Sequence, residues 1–170
     1  MPDQDRLYED ASAEFGAALE RLARAYEADR DKRRDLLQEI HVALWRSFQG
    51  FDGRCSLRTW VYRVAHNVAT SHVLRIRSRT PPLVGLDELE SLPDRHDSEQ
   101  ALDRQLALER LLTLVRSLEP LDRRIILLYL EELDAASIAE ITGLSPGHVA
   151  VKIHRIKQVL ARRFHQGKQA

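Results

Sequence analysis

The chain has 170 residues and a mass of 19.6 kDa, with 44% apolar and 31% charged residues, enough for one ordinary core or two small helical ones. Only 6% of residues are aromatic, which argues against a β-sandwich or barrel, and the lone Cys55 excludes an internal disulfide framework or a multi-cysteine zinc site. Lys and Arg total 26 against 26 Asp and Glu, and no apolar run approaches the roughly 18 residues of a membrane span, so a cytoplasmic protein without signal peptide or anchor is expected.

Most of the chain reads at helical period. Phe15, Leu19, Leu22 and Tyr26 mark a first amphipathic helix. Leu36, Leu37, Ile40, Leu44 and Phe48 form a second apolar stripe, which Gly50 ends, and Asp52-Gly53 is a turn. A third helix is expected from about Ser56 to Arg79, with Leu57, Val61, Val64 and Val68 on its buried face. Thr80-Pro81-Pro82 stops it, because proline lacks an amide donor and restricts the residue before it. From there to about Ser98 the sequence is acidic and aperiodic, an extended linker in which Leu86-Asp87-Glu88-Leu89 can form at most one helical turn. Leu102, Leu106, Leu108, Leu111, Leu112 and Val115 restore the period until Pro120. The expected fold is all-α: two small helical domains, residues 1–79 and 101–170, joined by an acidic linker over 80–100.

The net charge of zero hides a strong segregation. Residues 54–79 hold six Arg and no acid, residues 80–109 hold eight acids and two Arg, and residues 143–170 hold six bases and no acid. Two acid-free cationic stretches are candidate phosphate-binding surfaces.

The sharpest local signal lies near the C-terminus. Asp134 is suited to cap a short helix over residues 135–142, and Gly143 can take the left-handed conformation that ends it. Leu144 plugs the turn, Ser145 can cap the next helix and Pro146 fits its first position. This is a helix-turn-helix. With Val149, Ile153, Ile156 and Leu160 facing inward, a rotation of about 100° per residue turns Gly147, His148, Val151, His154 and Arg155 outward, with Lys152 at the edge. The first turn, Ser145 to His148, is placed for base edges in a major groove, and Lys152, Arg155 and the residue 157–163 cluster for phosphates. Val151 can touch thymine methyl groups but carries no hydrogen-bond code. His148 can gain a charge near neutral pH and add a phosphate contact, or simply sit in solvent.

On the third helix, Trp60, Arg63, Asn67 and Thr70 form a stripe beside the core face. Interleaved aromatic, guanidinium and amide groups suit single-stranded DNA, whose unstacked bases need a π-face and whose phosphates need charge. Trp60 has a second reading as a core anchor, and both roles can hold together. Neither Arg63 nor Asn67 has an acid at i±4.

The run Asp35-Leu36-Leu37-Gln38-Glu39, Leu44-Trp45-Arg46, and then Phe51-Asp52-Gly53-Arg54-Cys55-Ser56-Leu57-Arg58-Thr59-Trp60-Val61-Tyr62-Arg63-Val64-Ala65-His66-Asn67 resembles region 2 of bacterial sigma factors, most closely the extracytoplasmic-function (ECF) group. The stretch from Ile138 to Arg155 resembles region 4 of the same group, and the order of the two motifs matches as well. The resemblance implies a non-catalytic subunit of RNA polymerase that needs no cofactor and no metal. It implies that Asp35, Leu36, Gln38, Glu39, Leu44 and Trp45 dock on the core enzyme, at the β′ clamp helices, with the β subunit as a further partner. It implies promoter DNA as ligand: Arg54, Ser56, Arg58, Trp60, Arg63, Asn67, Thr70 and Arg75 at the −10 element, where the residue 51–57 loop holds a flipped base, and Ser145, Pro146, Gly147, His148, Val151, Lys152, His154 and Arg155 at the −35 element. An anti-sigma factor is a further partner of many members, and the acidic linker occupies polymerase channels in place of nucleic acid, a role for which a plain solvated spacer is an equal alternative. Two departures stand out. Lys32 and Arg34 replace acids common in the family, which weakens docking if the polymerase surface is basic, and His148-Val149-Ala150-Val151-Lys152 departs from the usual recognition-helix pattern, so no −35 sequence is implied.

Two rivals remain. A conventional helix-turn-helix repressor explains the C-terminus but leaves the stripe of Trp60, Arg63 and Asn67 unused. An enzyme would have to use Cys55 with His66 or His72, or His41, His66 and His72 as metal ligands, yet no H-E-x-x-H, P-loop or G-x-G-x-x-G pattern is present.

Overall fold

The computed structural model describes residues 3–79 and 99–167. Of the expected linker over 80–100, residues 80–98, with the Leu86–Leu89 turn and the acids Asp87, Glu88, Glu90, Asp94 and Asp97, lie outside the described residues, while residues 99 and 100, expected in the linker, already belong to a helix that begins at Glu99.

The first three helices follow from local capping and period. Asp3 opens α1 (Gln4–Tyr26), accepting from the Asp5 amide. Asp29 opens α2 (Arg30–Ser47), accepting from the amides of Asp31 and Lys32 at 3.0 and 2.9 Å. Leu36, Ile40 and Leu44, four residues apart, are its buried stripe. A 3₁₀ turn over Phe48–Gly50 closes α2, Gly53 takes φ 75°, and the Ser56 hydroxyl accepts from the Thr59 amide at the start of α3 (Leu57–Arg79). These helices pack around Phe15, Leu19, Leu36, Ile40, Leu44 and Val61.

The second group comprises α4 (Glu99–Arg116), α5 (Pro120–Leu130), α6 (Ala135–Thr142) and α7 (Pro146–Gln166). Ile125, Leu128, Ile138, Val149, Ile156 and Leu160 form its centre. The four consecutive residues Ile125 to Leu128 are all buried, a pattern without helical period. α6 and α7 pack against α5, and α3 meets it as well.

The two groups are not held apart. α4 meets α1, and α5 and α6 meet α3. This corrects the expected burial of α3. Val61 is buried, but Leu57, Val64 and Val68 are only partly so, whereas Tyr62, Ala65, His66, Ala69, His72 and Val73 are enclosed. A helix gripped from two directions has a broad buried face, and a one-sided stripe cannot describe it.

Arginines stitch the junctions by capping helix C-termini, where carbonyls are unpaired and the helix dipole is negative. Arg116 donates to the Arg24 carbonyl near the end of α1 at 2.6 Å, Arg123 to the Arg116 and Leu118 carbonyls at the end of α4, and Arg124 to the Ile141 carbonyl at the end of α6 at 3.1 Å. Arg123 also lies over the Tyr26 ring, 5.5 Å from its centre. Burial lowers the pKa of all three guanidinium groups.

Candidate nucleic-acid and partner surfaces

The helix-turn-helix forms as its sequence specifies. Asp134 accepts from the Ser137 amide at 2.8 Å, Gly143 sits at φ 79° with its amide on the Ala139 carbonyl, and Ser145 accepts from the His148 amide at 3.2 Å ahead of Pro146. Ser145, Pro146, Gly147, His148, Val151, His154 and Arg155 are all exposed along one face of α7. Val151 is 57% exposed, an apolar side chain offered to solvent. Lys152 departs from this group: it is half-buried and its Nζ lies 2.7 Å from Asp122 Oδ1 on α5. Its charge is engaged within the protein, which leaves Arg155 as the freer cation of the pair.

The stripe on α3 is divided among three surroundings. Trp60 packs edge-on against Phe51, ring centres 5.3 Å apart, and its indole N–H donates to Ser47 Oγ at 2.9 Å, so it is an anchor for the residue 51–57 loop. Thr70 turns inward, its hydroxyl buried beside Tyr26. Asn67 is exposed, and Arg75 pairs across the α2–α3 groove with Glu39 at 2.7 Å. Arg58 donates to the Glu131 carbonyl and lies over the Tyr62 ring, and Arg63 donates to the Glu140 carbonyl at 3.3 Å. The absence of an acid at i±4 of Arg63 was a true reading of the helix, but its anion comes from α6, 77 residues away. In the preceding loop, Arg54 pairs with Asp52 at 2.9 Å and remains largely exposed, while Ser56 caps the helix.

The six residues expected at the polymerase also separate. Asp35, Gln38 and Glu39 are exposed and line an open groove of about 780 Å³ between α2 and α3, which Asn67, Ser71 and Arg75 close from the other side. Leu36 and Leu44 are 0% and 1% exposed, so they hold the core and orient this face rather than form it. Trp45 is exposed on the side facing α1, where its indole N–H donates to Asp5 at 2.8 Å beside Tyr8 and His41.

The three histidines weighed as metal ligands occupy separate sites. His41 bonds the Tyr8 hydroxyl, His66 the Tyr26 hydroxyl and His72 the Glu27 carboxylate, at 3.0, 2.9 and 3.0 Å. Among the described residues no three His, Cys, Asp or Glu side chains converge on a metal position, and no helix is long and apolar enough to cross a membrane. His66 is enclosed by Tyr26, Tyr62 and the Arg124 charge. Burial first, and then that cation, push its pKa down to about 3.

Sequence reasoning missed the residues that join the two groups. Arg21 grips Glu131, Arg24 pairs with Glu109, Arg116 reaches the Arg24 carbonyl and Arg123 lies over the Tyr26 ring. Partners 85 to 110 residues apart leave no periodic trace.

A helix-turn-helix with an exposed second helix, joined to a three-helix bundle bearing an acid-free arginine helix, defines a two-part all-helical protein of the helix-turn-helix class. Residues 13–80 match the family model for sigma-70 region 2, and residues 108–160 that for sigma-70 region 4. The chain belongs to the sigma-70 family and falls with its ECF group. It is 32% identical over 123 residues to the ECF RNA polymerase sigma factor SigG of Mycobacterium tuberculosis (strain ATCC 25618 / H37Rv), over 71% of this chain and 31% of that protein. The chain thus spans about a third of SigG. Against the ECF RNA polymerase sigma-E factor of Escherichia coli (strain K12) it is 28% identical over 137 residues, covering 74% of this chain and 70% of the other. Two solved structures share the fold. CnrH, in complex with the cytosolic domain of CnrY, has a TM-score of 0.68 at 22% identity, with 97% and 91% of the two chains covered. RpoE from Bartonella quintana, in complex with the anti-sigma factor NepR, has a TM-score of 0.70 at 19% identity, with 94% and 96% covered.

Proposed function

We propose that this chain is an ECF sigma factor, a non-catalytic subunit that directs RNA polymerase to promoters and acts in the cytoplasm. The observation that carries this reading is the presence, in one chain and in family order, of an arginine-rich helix free of acids and an exposed recognition helix. Residues 1–79 form the module that binds core polymerase and opens the −10 element, 80–100 the linker, and 101–170 the module that binds the −35 element as duplex. Asp35, Gln38 and Glu39 meet the β′ clamp helices through the α2–α3 groove. Arg54, Arg58, Arg63, Asn67 and Arg75 serve the −10 strand once their internal partners are exchanged, with Trp60 holding the loop that receives a base. His148, Val151, His154 and Arg155 face the −35 duplex. The structural relative bound to the anti-sigma factor NepR supports a regulatory partner of the anti-sigma type.

Run-off transcription with purified core polymerase and promoters from the organism's own genome tests the reading. A new start site that requires the added chain is expected. If the chain alone gives the same DNA footprint as chain plus core, it is a conventional repressor or activator, and the sigma reading is wrong.

A further inference from the structure

The α1–α2 hairpin carries a cationic groove outside the surfaces described so far. Arg30, Arg33, Arg34 and Leu37 stand at i, i+3, i+4 and i+7 of α2, and Ala17, Glu20, Arg21 and Arg24 repeat that spacing on α1. The two stripes line an open groove of about 740 Å³ whose walls hold five arginines and one acid. It shares no residue with the α2–α3 groove that Asp35, Gln38 and Glu39 line. Local physics disfavours these cations. α2 starts at Arg30, where the helix dipole is positive and stabilises acids rather than bases. Arg30 also lies one turn from Arg33 and Arg34, so like charges repel at i+3 and i+4. The Asp29 cap offsets part of this, but its carboxylate already accepts from the amides of Asp31 and Lys32.

Two of the five arginines hold carboxylates within the chain. Arg21 meets Glu131 through two parallel bonds of 2.8 Å, a clamp that the Tyr62 hydroxyl completes at 3.2 Å, and Arg24 pairs with Glu109. Arg33 donates to the Ala28 carbonyl at 3.2 Å and closes the hairpin turn. Arg30 and Arg34 are exposed, and neither takes part in an ion pair among the described residues. Between the charged walls lie Ala17, Ala23 and Leu37, a small apolar floor. A phosphate backbone would satisfy the walls and leave that floor unmatched. None of the lining residues is aromatic, so unstacked bases find no π-face. A helix with one apolar edge and acids beside it matches both, and two helices with aligned stripes are the seat on which a third helix packs.

We propose that the α1–α2 groove docks an acidic amphipathic helix of a partner protein. The apolar edge of that helix rests on Ala17 and Leu37, and its carboxylates turn toward α2, where Arg30 and Arg34 receive them. Glu20 on the α1 wall repels a ligand that is anionic all round and so favours acids confined to the α2 flank. Cations placed against the α2 dipole gain in the complex the counter-charges that the chain itself does not supply.

The probe is a fluorescein-labelled helical peptide of about four turns, with Leu and Ala along one stripe, Glu on one flank and Gln elsewhere. It is titrated with the full chain at low salt and followed by anisotropy. Saturable binding is expected, weakened about fivefold or more by Arg30→Glu and by Arg34→Glu. Arg46→Glu, the same charge reversal beside the α2–α3 groove, is expected to change it less than about twofold. A peptide with Lys at every Glu should reverse the order and bind the Arg30→Glu/Arg34→Glu double variant better than the wild type. Both arginines are exposed, so the variants are expected to keep the circular dichroism of the wild type. No saturable binding of the Glu peptide, or equal affinity for the wild type and both groove variants, overturns the proposal. An equal loss in Arg46→Glu reduces the effect to net charge and overturns the groove. A single-stranded DNA of mixed sequence that displaces the peptide, and itself binds Arg34→Glu more weakly, assigns the groove to nucleic acid and overturns the peptide ligand.

Discussion

Acidification should strain the α1–α3 bundle through a single side chain. His66 is 1% exposed, accepts or shares a proton with the Tyr26 hydroxyl at 2.9 Å, and faces the Tyr62 ring and the Arg124 cation, with no carboxylate among the groups that set its pKa. Its native pKa of about 3 lies below the ordinary value of 6.5, so the unfolded chain takes up a proton that the native state refuses. Stability is therefore full above pH 6.5 and falls as pH drops below it, until about pH 3. Between pH 7.5 and 5.5 the unfolded histidine passes from mostly neutral to mostly charged while the native one stays neutral, a loss of about 1.4 kcal/mol. Burial lowers the pKa of His41 too and contributes in the same direction, so a variant is needed to isolate His66. His66→Gln keeps a hydrogen-bonding partner for Tyr26 and cannot titrate. Urea unfolding at the two pH values, followed by tryptophan fluorescence, is the assay, since both tryptophans, Trp45 and Trp60, lie in this bundle. The variant is expected to show a pH-dependent loss about 1.4 kcal/mol smaller than the wild type. A pH dependence identical in the two proteins, within about 0.3 kcal/mol, refutes the account of His66.

Three further outcomes follow from named contacts. Gly143→Ala should cost about 1–2 kcal/mol by thermal unfolding, because φ 79° is strained for a side chain even though nothing lies within 4 Å of the added Cβ; Gly147→Ala, equally unobstructed but with no positive φ, should not lower the melting temperature. Arg155→Ala should weaken binding to −35 duplex and reduce the salt slope by about 1, whereas Lys152→Ala, which removes the partner of Asp122, should leave the slope nearly unchanged. Lys32 shares the α2 face with Asp35 and Glu39, while Arg34 borders a separate groove beside α1 with Arg30 and Leu37. Lys32→Asp should therefore tighten binding to purified core polymerase more than Arg34→Glu does, and equal affinities for both variants and the wild type would show that neither residue affects docking.

The parts of the molecule legible from sequence are those whose causes are local. Asp134, Gly143, Ser145 and Pro146 each act within three or four residues, so the helix-turn-helix and its outward face could be placed in advance. α2 was equally clear, because Leu36, Ile40 and Leu44 face one neighbouring layer at a strict four-residue interval. α5 was not identified as a separate helix, since burial on several sides erases the period that marks a helix at a surface. The fate of Arg58, Arg63 and Thr70 was hidden for a related reason: their surroundings are made by residues at least 40 positions away or on another helix group. Leu36 and Leu44 were grouped with a docking motif because sequence adjacency to Asp35 and Trp45 does not distinguish the inward from the outward side.

That last distinction explains how one helix can serve both the core and a partner. The four-residue interval that sends Leu36, Ile40 and Leu44 inward necessarily turns Asp35, Gln38 and Glu39 to the far side, where α3 supplies Asn67, Ser71 and Arg75 as the opposite wall of the groove. The face is therefore a geometric consequence of the core, and its precision depends on residues that a partner never touches. The Arg75–Glu39 pair crosses this groove, linking a residue proposed for the −10 element to one proposed for docking. Both side chains are about half exposed, so the pair contributes little to folding and can be exchanged at small cost when a partner enters. The Arg21–Glu131–Tyr62 clamp is less exposed at Glu131 and makes three hydrogen bonds in place of one, and its exchange should be correspondingly harder. Filling the α2–α3 groove is thus the easier event, and parting the two helix groups the more demanding one.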